Sequence, residues 1–155
     1  GTVQIALKES YFIVKKDEET LIIRLLEGEF PKYQDIITKE DVYTIKIEKQ
    51  VFRNMLKRMS ILATDNYKGF IFNFNRDELV ITATNPDIGE SKEDMPIHYE
   101  GGSIEAAFNP KFFIDTLNVI EDDHVNIHIK DEEKPCIIEG EIDPSYVSVI
   151  MPMRI

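Results

Sequence analysis

The histidine, cysteine and carboxylate side chains of this sequence could carry catalysis or bind a metal, but their spacing favours neither role. The histidines, His98, His124 and His128, lie in or beside predicted strands without the cysteine pair of a zinc site. The single cysteine, Cys136, precedes two isoleucines, which favours a small buried side chain over a nucleophile. We therefore expect solvated or capping histidines, a buried thiol, no bound metal and no cofactor.

Two acidic runs are the remaining candidates for acid–base chemistry or cation binding. They occupy residues 121–123 and 131–133, where the pattern predicts turns. They lack the alternating ligands and central glycine of a calcium loop, so solvated loops are the simpler interpretation. A hydrolase would need two buried acids whose pKa values are pushed apart. Since neither run is predicted to be buried and no phosphate-loop, metalloprotease or dithiol motif is found, we expect no enzymatic activity.

A basic stripe on the first predicted helix is a candidate nucleic-acid contact. Lys49, Arg53 and Lys57 recur every four residues and share one helix face, with Arg58 beside them. The stripe is either a solvated helix face or a surface that follows a phosphate backbone weakly, without reading sequence. The net charge of −11 argues against tight binding by phosphate neutralisation. A protein that merely encircles DNA, however, needs little affinity for it.

The last seven residues, 149–155, are the clearest candidate binding element, and they read VIMPMRI. Pro152 has no N–H, so we expect strand pairing to stop there and the backbone beyond it to be free. Met151 and Met153 are flexible thioethers, which suit a surface that repacks around different partners. The tail is thus either a plug for the protein's own core or one wall of a peptide-binding groove.

The composition is that of a globular protein with a substantial core. The chain has 155 residues, of which 43% are hydrophobic and 30% charged. No apolar run approaches the ~20 residues that a membrane span needs, and no signal peptide opens the chain. With a single cysteine, these features predict a cytoplasmic protein without membrane association.

A shift in composition to a polar stretch at residues 38–41 suggests a domain boundary near residue 38. Before it we expect three short strands, too few to enclose a core, at residues 3–7, 11–14 and 21–26. After it we expect helices at residues 48–63 and 109–120. The start of the second is indicated by Asn109, a favourable N-cap residue, and by Pro110 at the first helical position. Eight strands accompany them, at residues 43–47, 69–74, 78–84, 90–99, 103–108, 125–129, 136–141 and 146–150. Because helices and strands do not alternate, the order predicts an α+β domain with antiparallel sheets and hints at a structural duplication.

Five segments, in this order and spacing, resemble one family: the bacterial DNA polymerase III β subunit, which is the sliding clamp of replication. They are RLLEGEFPKY at residues 24–33, the first helix and its exit at residues 52–69, ITATNP at residues 81–86, FNPKFFIDTL at residues 108–117 and MPMR at residues 151–154. No single segment is decisive. Their order over nearly the whole chain makes the resemblance specific.

The resemblance implies a C-terminal fragment of a three-domain subunit that closes around DNA as a head-to-tail homodimer. Residues 1–37 would be the last strands of the second clamp domain and the linker, and residues 38–155 the complete third domain. The implied role is a non-enzymatic processivity factor that encircles double-stranded DNA without sequence specificity. Its implied partners are DNA polymerase III and clamp-loader subunits, other DNA polymerases and repair proteins, which dock short peptide motifs. Without the opposing domain, we expect the fragment to be monomeric.

The resemblance also implies a peptide groove between the second and third domains. By position, its residues here are Pro31, Ile36, Tyr67, Asn109, Phe112, Val149, Ile150, Met151, Pro152, Met153, Arg154 and Ile155. Asp35 stands where the family often has a basic residue and Lys32 where aspartate is usual, which weakens any expected preference for acidic peptides. Because the other wall belongs to missing parts of the second domain, we expect weaker peptide binding than in a whole clamp.

A second implied surface is the contact that closes the ring. Its positions here are Ile61 and Leu62, with Asp87, Glu90 and Glu93 from a neighbouring edge strand. The basic stripe of Lys49, Arg53, Lys57 and Arg58 would face the central channel. The alternative hypothesis is a peptide-binding module of similar build with no role on DNA.

Overall fold

The computed structural model of the chain describes every residue except Pro31, Asp65, Asn66 and Ile155. Two of the predicted groove residues, Pro31 and Ile155, therefore lie outside the described residues. The chain divides into two compact units, Gly1–Lys32 and Tyr33–Ile155. No helix among the described residues is long and apolar enough to span a membrane.

The first unit is a three-stranded antiparallel sheet with the order β1-β2-β3. Its strands are β1 (Gln4–Lys8), β2 (Tyr11–Lys16) and β3 (Glu19–Arg24), close to the three predicted positions. The register places Ile5 and Leu7 opposite Val14 and Phe12, so apolar side chains collect on one face. No described residue of this unit is fully buried, as expected for three strands without a second layer.

The second unit has eight strands and two helices in its described part, which confirms the predicted number and order. The elements are β4 (Tyr43–Glu48), α1 (Lys49–Met59), β5 (Phe70–Phe74), β6 (Glu78–Asn85), β7 (Gly89–Pro96), β8 (Ile104–Phe108), α2 (Pro110–Val119), β9 (His124–Ile129), β10 (Cys136–Gly140) and β11 (Val147–Ile150). All strand pairs are antiparallel, so the fold class is α+β as predicted.

The second unit is built from two copies of the order strand, helix and three strands. The first copy runs from β4 to β7 and the second from β8 to β11. The two sheets have the orders β11-β10-β9-β4 and β7-β6-β5-β8. Each copy therefore places its first strand in the sheet of the other copy. Because of this exchange, strand pairing joins the two copies to each other, which supports the structural duplication suggested by the element order.

The two helices begin and end for different local reasons. Asn109 caps α2, because its side-chain oxygen accepts a hydrogen bond from the Lys111 N–H at 3.0 Å. At the start of α1 the Lys49 N–H instead donates to the Asp123 carbonyl at 2.9 Å. The first helix is shorter than predicted: it ends at Met59 and tightens into a 3₁₀ turn over Ser60–Leu62. The Ser60 hydroxyl, which bonds the Leu56 carbonyl, favours this change.

A single hydrophobic core joins both helices and both sheets of the second unit. At its centre the Phe113 ring lies 5.0 Å from Phe72, 5.4 Å from Phe108 and 5.9 Å from Phe52, measured between ring centroids. These rings come from α2, β5, β8 and α1. Because edge-to-face and stacked rings add to the burial of their area, this cluster fixes the helices against the sheets.

Candidate functional site

The tail of the chain connects the two sheets of the second unit. Strand β11 ends at Ile150, so strand pairing stops before Pro152 as predicted. The prediction of a free backbone beyond the proline was wrong, because the Met153 N–H donates to the Ala107 carbonyl of β8 at 2.7 Å. Proline interrupts the hydrogen-bond ladder for a short stretch, and pairing resumes with a strand of the other sheet.

Burial separates the tail residues into two groups. Ile150 is 2% exposed and belongs to the core. Its side chain is not accessible to a partner, so it does not form part of the predicted groove surface. Met151 and Met153 are 58% and 39% exposed. The two interpretations of the tail therefore apply to different residues: Ile150 plugs the core, whereas the methionines remain on the surface.

The start of α2 lies beside this tail. Ala107, the bridge partner of Met153, comes two residues before Asn109. Phe112 is exposed, and the Thr116 hydroxyl contacts both the Phe112 carbonyl, at 2.8 Å, and the Ser148 hydroxyl of β11, at 2.7 Å. The fold thus brings Asn109, Phe112 and the exposed methionines into one region. Asn109 uses its side-chain oxygen for the helix cap, which leaves the amide NH₂ as the group able to donate to a partner.

The tail forms a ridge between two surface cavities. One, of about 340 Å³, is lined by Tyr67, Lys68, Gly69, Ile71, Thr82, Thr84, Met153 and Arg154. The other, of about 280 Å³, is lined by Glu132, Glu133, Lys134, Met151, Pro152, Met153 and Arg154. Tyr67 therefore borders the same cavity as Met153 and Arg154 of the tail. Sequence reasoning missed the β5 and β6 side chains and the two glutamates, because only the sheet order shows that they border the tail.

Ile36 does not line either of these cavities. It lines a third cavity of about 360 Å³ with Asp35, Thr38, Glu40, Val42, Lys130, Lys134, Pro135 and Ile137. Lys134 borders both this space and the second tail cavity. Among the predicted groove residues, Ile36 therefore lines a different cavity from the residues that border the tail cavities, which are Tyr67, Met151, Pro152, Met153 and Arg154.

The basic stripe of α1 is largely engaged by the protein itself. Lys49 donates to the Ile120 and Glu121 carbonyls at the end of α2, at 2.9 and 3.0 Å. Arg53 donates to Asn118 at 3.3 Å, so the two helices lie side by side and antiparallel. Arg58 forms a two-pronged ion pair with Glu93 of β7. Lys57 is exposed. The stripe thus offers less free positive charge than its spacing suggested.

The predicted ring-contact residues surround the exposed end of α1 and the strand β7. In the described part of the chain, β7 is one of the two edge strands of its sheet. Ile61 is 77% exposed, whereas Leu62 packs partly against the core. Buried Asn85 ties these parts together, since its side chain donates to the Leu62 carbonyl at 2.9 Å and accepts from the Asp87 N–H at 3.0 Å. Ile88 is exposed in the same turn.

The histidines behave differently from one another. His98 and His124 are exposed and half-buried, in line with prediction, but His128 is 5% exposed and the expectation of a solvated or capping role was wrong for it. It contacts Glu139 and Thr44, both at 2.9 Å. Sequence reasoning also missed Glu139, a buried acid outside both acidic runs, although strand alternation puts it on the same face as His128.

The described residues offer little for catalysis. Cys136 is fully buried as predicted, and burial raises the pKa of its thiol far above the ordinary value. One acid of each run accepts hydrogen bonds from the backbone: Asp122 from the Ile142 and Asp143 N–H groups, and Asp131 from those of Glu133 and Lys134. Within the described ranges, no cluster of three or more His, Cys, Asp or Glu side chains could hold a metal ion.

The sequence from residue 34 to residue 154 matches the family described as "DNA polymerase III beta subunit, C-terminal domain". The chain belongs to this family. The fold and the tail just described are therefore those of a clamp C-terminal domain, and the resemblance drawn from the five segments is confirmed.

Relatives and solved structures agree with this assignment. The beta sliding clamps of Chlamydia pneumoniae and Pseudomonas putida are 34% and 30% identical to the whole of this chain. A sliding clamp from Pseudomonas aeruginosa, solved bound to griselimycin, superposes on 99% of the chain with a TM-score of 0.77 and 27% identity. The chain spans 42% of the length of each of these three proteins.

Proposed function

We propose that the chain is the C-terminal part of a replication sliding clamp, with residues 38–155 as the third clamp domain and residues 1–37 as the end of the second domain and the linker. In this role it acts in the cytoplasm as a non-enzymatic processivity factor. It forms part of a homodimeric ring that encircles double-stranded DNA. The family match over residues 34–154 is the observation that carries this proposal.

The proposed groove residues are the exposed members of the tail together with the start of α2 and the loop before β5. They are Tyr67, Asn109, Phe112, Val149, Met151, Pro152, Met153 and Arg154, with Ile36 in the neighbouring depression. Two half-exposed methionines beside an exposed phenylalanine supply adaptable apolar surface, and the Asn109 amide supplies a donor. This chemistry suits peptides with aliphatic or aromatic anchors, of the kind that DNA polymerase III, clamp-loader subunits, other polymerases and repair proteins would present.

The proposed ring contact combines the exposed Ile61 with the open edge of β7, which carries Glu90 and Glu93. An edge strand presents unpaired backbone groups, and an apolar side chain beside it adds burial, so a second subunit can extend the sheet there. Leu62 and Asp87 would hold this surface in place through their backbone hydrogen bonds to the buried Asn85 side chain.

A second candidate, a peptide-binding module without a role on DNA, is favoured by one observation. The basic side chains Lys49, Arg53 and Arg58 are held by carbonyls, an amide and a carboxylate of the protein, in a chain of net charge −11. A clamp that only encircles DNA tolerates this arrangement, because topology rather than affinity retains it on the duplex.

The peptide groove is tested by titrating a labelled peptide of the Gln-x-x-Leu-Phe type against the chain and against a variant that lacks residues 151–155. We expect saturable binding by the chain, which disappears with the tail. A peptide whose Gln, Leu and Phe are replaced by alanine is the matched control. Equal binding by both proteins, or no binding by the intact folded chain, would contradict the proposed groove in this chain.

A further inference from the structure

A polar cluster with two buried members, His128 and Glu139, lies on the face of the sheet β11-β10-β9-β4 that points away from the core. Val125, Ile127 and Ile129 of β9 fill the core, so alternation directs His128 to the opposite face. There His128 meets Thr44 of β4 and Glu139 of β10. Lys39, from the segment that precedes β4, completes the cluster with its ammonium 2.5 Å from the second oxygen of Glu139.

The donors and acceptors of this cluster have one consistent arrangement. Ionised Glu139 can only accept hydrogen bonds, so the His128 Nε2–H and the Lys39 ammonium both donate to it. In a neutral imidazole the other nitrogen, Nδ1, then accepts from the Thr44 hydroxyl. The Glu139 side chain is 8% exposed and the Lys39 side chain 38% exposed. The ion pair therefore runs from the sheet surface outward to the preceding segment.

A second ion pair joins the preceding segment, residues 33–42, to the same sheet, since the ammonium of Lys130, just after β9, lies 3.5 Å from an Asp41 carboxylate oxygen. None of the segment's residues, all of which the structure describes, is fully buried; only Ile37 and Val42 are half-buried. Its internal bonds, from the Ile36 and Ile37 N–H groups to the Tyr33 carbonyl, shape the turn but do not anchor it. Ile36 and Thr38 line an open cavity of about 360 Å³ together with Pro135 and Ile137. Continuous apolar packing therefore does not hold the segment in place.

We propose that Lys39, Glu139 and His128 are positioning residues. They hold Ile36, on one side of the proposed peptide groove, at a fixed position relative to the tail residues 151–154 on the other side. Glu139 pairs in register with Val147 of β11, the strand that leads directly into the tail. His128 fixes the Glu139 carboxylate from the other side, and Lys39 ties residues 33–42 to it. The proposal rests on the proposed peptide groove, and it adds residues that contact no peptide themselves.

The test compares four variants of the chain: Lys39→Met, Lys39→Arg, the double variant Lys39→Met with Glu139→Gln, and Lys46→Met. Lys46 of β4 is a matched control, because its ammonium also lies 2.5 Å from a glutamate, Glu141, which directly follows β10, but it does not hold residues 33–42. Two readouts are taken: hydrogen exchange at the Ile36 and Ile37 amides, and affinity for the Gln-x-x-Leu-Phe peptide. Thermal unfolding confirms that each variant is folded.

We expect Lys39→Met and the double variant to raise amide exchange at residues 36–37 and to weaken peptide affinity, each by roughly five- to tenfold. Lys39→Arg restores both readouts, and Lys46→Met leaves both within about twofold of the wild type. Unchanged exchange in Lys39→Met overturns the proposal, as does raised exchange with unchanged affinity. If the wild-type chain binds no peptide, the proposed groove fails instead, and the exchange readout alone decides whether the tether exists.

Discussion

At the scale of single residues, the surroundings of Glu139 shift the pKa of its carboxyl group. Burial alone would raise its pKa, but hydrogen bonds from Lys39 and His128 outweigh burial and hold the pKa below the ordinary value of 4.5. A carboxyl group with a lowered pKa in the folded state contributes stability above its unfolded pKa. That contribution is lost as the pH falls through the folded pKa.

Replacing this side chain should therefore have an effect that depends on pH. We expect Glu139→Gln to lower the free energy of unfolding by about 2 kcal/mol at pH 7, because two charge-assisted hydrogen bonds are weakened. The difference from the wild type should stay constant down to the ordinary pKa of 4.5 and shrink below it. Urea unfolding at a series of pH values measures this.

The matched control is Glu141→Gln, since Glu141 forms a similar ion pair with Lys46 but both side chains are more exposed. An exposed pair contributes little, so we expect a loss below about 1 kcal/mol at pH 7. If Glu139→Gln lost no more stability than this control, or if its deficit grew as the pH fell, the account of the buried pair would be wrong.

At the scale of elements, the helix α2 separates a structural face from the proposed binding face at two adjacent phenylalanines. Phe113 is fully buried against three other rings, whereas Phe112 is 54% exposed near the tail. We expect Phe113→Ala to cost about 3–5 kcal/mol, as is typical of a large buried side chain. Phe112→Ala should cost less than about 1 kcal/mol but weaken peptide binding.

Urea unfolding and peptide titration on the two variants measure this division directly. The replacements remove the same atoms from consecutive positions of one helix, so each serves as the control for the other. Loss of peptide binding without loss of stability in Phe112→Ala is the expected result. A loss of stability as large as that of Phe113→Ala would mean that Phe112 supports the fold instead.

The same elements illustrate what sequence patterns predict and what they miss. Alternation in β5 and the Asn109–Pro110 signal are local, and they predicted the strand and the helix start within a residue or two. The bridge between Met153 and Ala107 joins residues far apart in the chain, and so does the pair of Lys39 with Glu139. Such contacts depend on the order of strands in the sheets, which single-strand periodicity does not encode.

At the scale of the whole molecule, the net charge and the pairing of the basic side chains both disfavour attraction to DNA. A chain of charge −11 repels a phosphate backbone, and its Arg58 is paired with Glu93. We therefore expect the chain to bind linear duplex DNA more weakly than about 10⁻⁴ M at physiological salt, the weak end of ordinary non-specific binding. Within the proposed ring, retention on DNA would then come from closure rather than from attraction.

Releasing Arg58 should reveal whether α1 faces the duplex. Glu93→Gln removes its carboxylate partner, whereas Glu90→Gln removes the same charge from an exposed position on the same strand. Measured by fluorescence anisotropy at low salt, Glu93→Gln should bind duplex DNA more tightly than Glu90→Gln. Its log–log salt slope should be steeper by up to about 0.9, the value for one added phosphate contact. Equal gains in the two variants would mean that only net charge matters, and would favour the peptide-binding module without a role on DNA.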